Sequence, residues 1–86
     1  MPEICRFFGI IIRVYFDDHP PPHFHAVYGD DEAKIDIPNG NVISGRLPPK
    51  ALSLVQEWRK LRQAELMVAW QRARQQQYPG RIDPLE

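Results

Sequence analysis

The chain has 86 residues, a length that suits one small domain with a modest core, and we expect residues 1–86 to form a single domain. Hydrophobic residues make up 43% and charged residues 26%, which is typical of a folded protein rather than a disordered one. Lys plus Arg and Asp plus Glu number 11 each, so the net charge of zero does not favour nucleic acid or an anionic membrane as a partner.

Few features of the sequence bear on the cellular compartment. Cys5 is the single cysteine, so it has no internal disulfide partner, and we expect a buried, inert thiol rather than a nucleophile. The first residues lack the basic region and cleavage site of a signal peptide. The apolar run at residues 7–12 is too short to span a bilayer. Together these features predict a cytoplasmic protein.

The first half of the chain has the β-branched and alternating patterns of strands. We predict strands at residues 4–8, 10–16, 23–28, 32–37 and 42–46. Alternation in the second strand turns four side chains toward the core, namely Ile10, Ile12, Val14 and Phe16. Between the last two strands, Asn39-Gly40 predicts a hairpin with a type I′ turn.

Residues 48–76 have helical spacing in two registers. The first apolar stripe consists of Ala51, Leu54, Val55, Trp58 and Leu61, and the second of Leu66, Ala69, Trp70 and Ala73. The phase jump between them predicts a break near residues 62–64. We expect both tryptophans in the core. The basic residues Arg59, Lys60, Arg62, Arg72 and Arg74 are expected on solvated helix faces, the alternative being a footprint for nucleic acid or an acidic partner.

The predicted elements indicate the α+β class, with strands over about residues 4–46, helices over about 48–76 and a short tail at 77–86. We expect an antiparallel β-meander of four to five strands followed by two C-terminal helices packed on one sheet face. The other face of the sheet would then be open, as antiparallel sheets permit.

The loop at residues 17–25, Asp-Asp-His-Pro-Pro-Pro-His-Phe-His, contains all three histidines of the chain. Its prolines predict a polyproline II segment. His23 and His25 are two residues apart on a predicted strand and therefore point the same way. With His19, Asp17 or Asp18 they could converge on a divalent transition metal such as Zn²⁺, Ni²⁺ or Fe²⁺. Alternatively, the histidines hydrogen-bond and shape the loop, or contact a substrate or partner.

A second cluster follows from the meander. Six side chains would share the open face, namely Arg13, Tyr15, His23, His25, Lys34 and Asp36. Histidine can act as an acid or base near neutral pH, and Arg or Lys can stabilise negative charge, so the face could cleave RNA or bind phosphate. The catalytic candidates would be His23, His25, Arg13, Tyr15 and Lys34. The alternative is a solvated surface. We find no motif for an organic cofactor.

The chain resembles a small bacterial family, the domain of unknown function 4160. The resemblance is carried by residues 1–29 with the His-Pro-Pro-Pro-His-Phe-His block, by Ile35-Asp36-Ile37, by Gly45-Arg46-Leu47-Pro48, and by Trp58, Trp70 and Pro84-Leu85. It covers essentially the whole chain. The block carries one additional proline here, so the spacing of His19 and His23 is expected to differ by a residue. The resemblance implies a bacterial cytoplasmic protein, often encoded beside the domain of unknown function 2442 in a pairing like that of toxins and antitoxins. It implies no activity and no catalytic residues.

Three functional hypotheses follow. The leading one is an interaction module, one half of a toxin–antitoxin-like pair, with a small protein partner or a second copy of itself. The alternatives are a His-based or metal-dependent nuclease that uses the face of His23 and His25, and a metal-binding sensor. A local cluster of basic residues could still bind nucleic acid despite the zero net charge, and a membrane is not expected as a partner.

Overall fold

The computed structural model describes residues 2–16 and 18–86. Its strands are β1 (Glu3–Phe7), β2 (Ile10–Arg13), β3 (His23–Tyr28), β4 (Asp31–Asp36) and β5 (Val42–Gly45). Two helices follow, α1 (Pro49–Leu61) and α2 (Gln63–Arg74). Neighbouring strands pair antiparallel in the order β1-β2-β3-β4-β5. The predicted α+β meander with two C-terminal helices is therefore confirmed.

One face of the sheet forms the core. The strand register places Ile12 opposite Ala26 and Phe24 opposite Ile35, and all four side chains are buried. Trp58 of α1 packs on this face, with its ring centroid 5.9 Å from that of Phe24. Because side chains alternate along a strand, the residues between these core positions point to the opposite face, which carries the candidate site.

The helical half breaks where the phase jump predicts. Arg62 separates α1 from α2 with φ −115°, while its N–H still donates to the Trp58 carbonyl at 3.0 Å. Leu66, Ala69, Trp70 and Ala73 are buried, as the second stripe predicts. Leu61 was expected in the core but is 64% exposed, because it is the last residue of α1 and lies at the break between the two apolar stripes.

Three local predictions were wrong. Phe16 is exposed rather than in the core, because strand pairing in β2 ends at Arg13 and the chain turns at Phe16. The hairpin between β4 and β5 has a five-residue loop at 37–41 in which only Gly40 has a positive φ, so it is not a two-residue type I′ turn. In place of the expected polyproline II segment, the loop before β3 contains a cis peptide bond between Pro20 and Pro21.

Arg59 was expected on a solvated helix face, but it is 6% exposed. Its guanidinium donates to the carbonyl of Ile37 at 3.0 Å and to Oε1 of Gln56 at 3.0 Å. Ile37 is the first residue after β4, and its carbonyl accepts this bond from α1. Arg59 thus links α1 to the β4–β5 hairpin.

The tail after α2 forms no helix or strand, as expected, but it packs on the domain. The Ile82 N–H donates to the Ile4 carbonyl at 2.8 Å, and Nε1 of Trp58 donates to the Asp83 carbonyl at 2.8 Å. Ile82 and Leu85 are buried. The tail therefore covers the β1 edge of the sheet. Across residues 2–16 and 18–86, no helix has the length and apolar character needed to cross a membrane.

Candidate metal centre

Three potential metal ligands converge where the proline loop enters β3. His23 and His25 lie two residues apart on that strand and project to the same face. Asp18 approaches them from the loop. One ligand atom from each of the three side chains lies within 4.8 Å of the others. The cluster therefore has the composition of two imidazoles and one carboxylate, a set that could hold a metal ion.

A single carboxylate oxygen lies at the centre of this cluster. Oδ2 of Asp18 is 2.8 Å from Nε2 of His23 and 3.3 Å from Nε2 of His25. The His23 side chain is almost fully buried, whereas the side chains of His25 and Asp18 are 12% and 19% exposed. The cluster thus lies just below the surface, with access from the side of His25 and Asp18.

The hydrogen bonds of His23 define where its protons lie. Nδ1 is 2.7 Å from the Pro21 carbonyl, which can only accept, so Nδ1 carries a proton. Nε2 faces the Asp18 carboxylate, which also only accepts when ionised. With only the Nδ1 proton on the ring, this contact brings two acceptors together, so a cation beside Nε2 would favour it. A metal ion on Nε2 would satisfy the same arrangement with a neutral ring.

His25 repeats this arrangement. Its Nδ1 lies 3.1 Å from Oε2 of Glu32, and its Nε2 faces Asp18. Histidines that ligate metals characteristically donate their other ring N–H to a carboxylate or a backbone carbonyl. The Glu32 carboxylate is positioned to accept such a bond from His25, and the Pro21 carbonyl to accept one from His23. Sequence reasoning did not select Glu32, although its spacing of two from Lys34 on β4 places it on the same face.

Asp18 is an anion in this setting. Burial raises the pKa of the Asp18 carboxyl. The hydrogen bond from the His19 N–H and the rings of His25 and His23 lower this pKa by a larger amount. The pKa therefore lies below its usual value. A carboxylate must be deprotonated to ligate a metal, so the local hydrogen bonds favour the form that binding needs.

The other loop candidates lie apart from this cluster. His19 is exposed, and its backbone N–H donates to Oδ1 of Asp18 at 2.9 Å. Its ring is not among the converging groups. His19 therefore orients the carboxylate of Asp18 through its backbone. Asp17 lies outside the described residues.

The register brings most of the second cluster together. Arg13 lies directly opposite His25, and His25 lies directly opposite Lys34, so the three share one row across β2, β3 and β4. The ring of Tyr15 meets that of His25 edge-on, with centroids 4.3 Å apart. The site candidates Arg13, Tyr15, His25 and Lys34 are therefore neighbours on one face.

Two members of the expected open face are not open. His23 is buried beneath Trp70 of α2, with ring centroids 4.9 Å apart. Asp36 is also buried, and its Oδ1 accepts the N–H groups of Asn39 at 2.7 Å and Gly40 at 3.0 Å. The carboxylate of Asp36 is thus used in the β4–β5 loop because a buried acceptor must find donors. The face is accessible around His25 and closed at its His23 end.

Comparison with known proteins gives a family and no further relatives. No curated protein and no solved structure matches the chain. A family model described as Domain of unknown function (DUF4160) matches residues 9–71, a span that includes Asp18, His23, His25 and Glu32. This match covers most of the chain, and the protein therefore belongs to the DUF4160 family.

Proposed function

We propose that the protein binds a divalent transition metal ion through Asp18, His23 and His25. The observation that carries this proposal is the convergence of both Nε2 atoms on Oδ2 of Asp18, while both Nδ1 atoms are held by hydrogen-bond acceptors. Nitrogen and carboxylate ligands together suit Zn²⁺, Ni²⁺ or Fe²⁺ better than Mg²⁺ or Ca²⁺, which prefer oxygen.

Two of the three ligand–ligand distances fit a transition metal with little rearrangement, and all three ligand atoms lie within 4.8 Å of one another. Tetrahedral ligands about 2.0–2.1 Å from Zn²⁺ are about 3.3–3.4 Å from one another. Oδ2 of Asp18 is already 3.3 Å from Nε2 of His25, and its 2.8 Å contact with Nε2 of His23 would open by about half an ångström. Three protein ligands leave a further coordination position, which is the pattern of a functional rather than a closed structural site.

The test is metal content measured by mass spectrometry on untagged protein purified without chelating resin. We expect about one metal ion per chain in the wild type and none in Asp18→Asn or His25→Ala. The His23→Ala/His25→Ala pair is a less direct variant, because His23 is buried and its loss also leaves a cavity. His19→Ala is the matched control, since it removes an exposed imidazole from the same loop.

Two results would oppose metal binding. One is a wild-type protein without metal that also fails to bind added Zn²⁺ in calorimetry. The other is metal that is lost equally from His19→Ala and His25→Ala, which would indicate non-specific chelation by exposed imidazoles. In either case the histidines would serve as loop structure, connecting Asp18 and Pro21 to β3.

We further propose, as a second candidate function, a protein-interaction role, which would include one half of a toxin–antitoxin-like pair. Its support is the β5 edge of the sheet, where all four strand residues are exposed and Val42 and Ile43 are 41% and 42% exposed. Strand β5 contains no charge or proline to block pairing with another chain. The β1 edge, by contrast, is covered by the tail. An uncovered apolar edge suits the addition of a strand from a partner.

The interaction role is tested by the oligomeric state together with a pull-down. We expect a homodimer, or a stoichiometric complex with a partner, that Ile43→Lys disrupts while the melting temperature changes little. Lys60→Ala, which changes an exposed residue of α1, is the control. A monomer without a specific partner in native lysate, or an assembly unchanged by Ile43→Lys, would argue against use of the β5 edge.

A further inference from the structure

A row of three side chains flanks the proposed metal ligand His25. Arg13 of β2 and Lys34 of β4 are the residues directly opposite His25 on either side. Directly opposite residues in antiparallel strands have Cβ atoms about 4.5–5.5 Å apart and point to the same face. Two basic side chains therefore border the imidazole that would hold the metal.

Neither basic side chain is neutralised by the part of the chain that the structure describes. The ion pairs of residues 2–16 and 18–86 involve Arg6, Arg62, Arg81, His23 and His25, and none involves Arg13 or Lys34. Both side chains are nevertheless partly buried. Partly buried cations without an anionic partner create a positive potential that attracts an anion.

The carboxylates on this face already have other partners. Oδ2 of Asp18 faces the two histidines, Oε2 of Glu32 faces Nδ1 of His25, and Oδ1 of Asp36 accepts two loop amides. Glu3 of β1 is the residue directly opposite Arg13, and its carboxylate pairs with Arg6 and Arg81. Arg13 and Lys34 thus lie beside the carboxylates of the cluster without pairing with them. Both residues add positive charge on the two sides of His25.

We propose, building on metal binding at Asp18, His23 and His25, that this face binds the phosphate group of a ligand. One phosphate oxygen would occupy the remaining coordination position of the metal, and Arg13 and Lys34 would bind the other oxygens. Guanidinium offers a planar fork of donors that matches phosphate, and the lysine ammonium adds a compact charge. A phosphate has enough oxygens to reach a metal and two cations together, whereas a carboxylate has two. Tyr15 meets His25 edge-on and would border this position.

The experiment uses the full chain loaded with Co²⁺, whose visible absorption reports on its ligands. Inorganic phosphate is titrated into the loaded wild type and into Arg13→Gln, Lys34→Gln and the double variant. We expect a saturable spectral change in the wild type and an affinity weaker by at least about tenfold in the double variant. Lys50→Gln, which removes an exposed cation on α1, is the matched control and should bind phosphate like the wild type.

Cobalt content, measured first for every variant, separates failure of this proposal from failure of metal binding. Stoichiometric cobalt with no response to phosphate, or with equal phosphate affinity in wild type and double variant, would overturn the phosphate site and leave metal binding intact. Absence of cobalt from the wild type would overturn both. Sulfate and acetate are titrated in parallel, and a response to acetate as strong as that to phosphate would also overturn the assignment to phosphate.

Discussion

Nδ1 of His25 lies 3.1 Å from Oε2 of Glu32, across the β3–β4 pair. The contact is diagonal, because Glu32 lies opposite Val27 and two residues from Lys34, the direct partner of His25. It fixes the ring so that Nε2 points toward Asp18. Glu32 is therefore a positioning residue for the proposed metal ligand, and it does not itself belong to the converging set.

Substitution of Glu32 should weaken metal binding without abolishing it. We expect Glu32→Ala to reduce Zn²⁺ affinity about 10–100-fold, because the loss of such an outer hydrogen bond to a ligating histidine has that effect. Glu32→Gln retains a hydrogen-bond acceptor, so its Zn²⁺ affinity should lie between those of the wild type and Glu32→Ala. Calorimetric titration with Zn²⁺ measures this, with the exposed Glu57→Gln on α1 as control. An affinity unchanged in Glu32→Ala would remove Glu32 from the site.

Cys5 should resist alkylation in the folded protein and give stability a specific dependence on pH. Burial raises the pKa of its thiol above the usual value of a cysteine. The unfolded thiol then loses its proton first as the pH rises, so the free energy of unfolding decreases above about pH 9. Cys5→Ala should lose this alkaline component. Iodoacetamide labelling with and without denaturant, and denaturant melts at pH 8 and pH 10, measure both effects. Rapid labelling of the native protein would contradict the buried position.

Arg59 should contribute to stability through the hairpin it supports. In Arg59→Ala, the Ile37 carbonyl loses its guanidinium donor, and an unsatisfied buried polar group costs about 1–3 kcal/mol. Arg59→Lys should recover only part of this, since an ammonium does not reproduce the fork that reaches both Ile37 and Gln56. Urea melts measure the difference. Lys60→Ala, its exposed neighbour, should change the free energy of unfolding by less than about 0.5 kcal/mol.

The sequence predicts the parts of this protein that depend on local periodicity. Alternation identifies five strands, and the phase jump identifies the break at Arg62. Periodicity does not show that the Arg59 side chain is buried, because its burial depends on a hydrogen bond to the Ile37 carbonyl, which is distant in sequence. The fate of Asp36 depends likewise on the amides of the following loop.

In the candidate site, too, the features that depend on local spacing are predictable from the sequence, and those that depend on three-dimensional contacts are not. The spacing of His23 and His25 places both on one face, and the loop sequence offers acidic and imidazole ligands around them. Which loop residue approaches the strand depends on the path of the prolines, and it is Asp18 rather than His19 whose side chain does so. Glu32 and the Pro21 carbonyl enter only through three-dimensional contacts. Parity along β4 could have indicated Glu32, but nothing in the sequence indicates Pro21.

The tail should be necessary for the sheet to remain closed at its β1 edge. Removal of residues 81–86 takes away the buried side chains of Ile82 and Leu85, the donor to the Ile4 carbonyl and the acceptor for Nε1 of Trp58. Loss of apolar burial of this size typically costs several kcal/mol in total, at about 1.5–3 kcal/mol for each large side chain. The truncated chain should therefore melt at a much lower temperature than the wild type.

Truncation should also promote association, because β1 would become a second exposed edge beside β5. Thermal melts followed by circular dichroism, together with light scattering, measure both effects. The double variant Ile82→Ala/Leu85→Ala tests the side chains alone, and it should lower the melting temperature while the hydrogen bond from the N–H of residue 82 to the Ile4 carbonyl keeps the β1 edge covered. Asp83→Ala is the control, because Trp58 uses only the backbone carbonyl at that position. A truncated chain as stable as the wild type would show that β1 does not depend on the tail, and the proposed association at β5 would lose the contrast with a protected β1 edge.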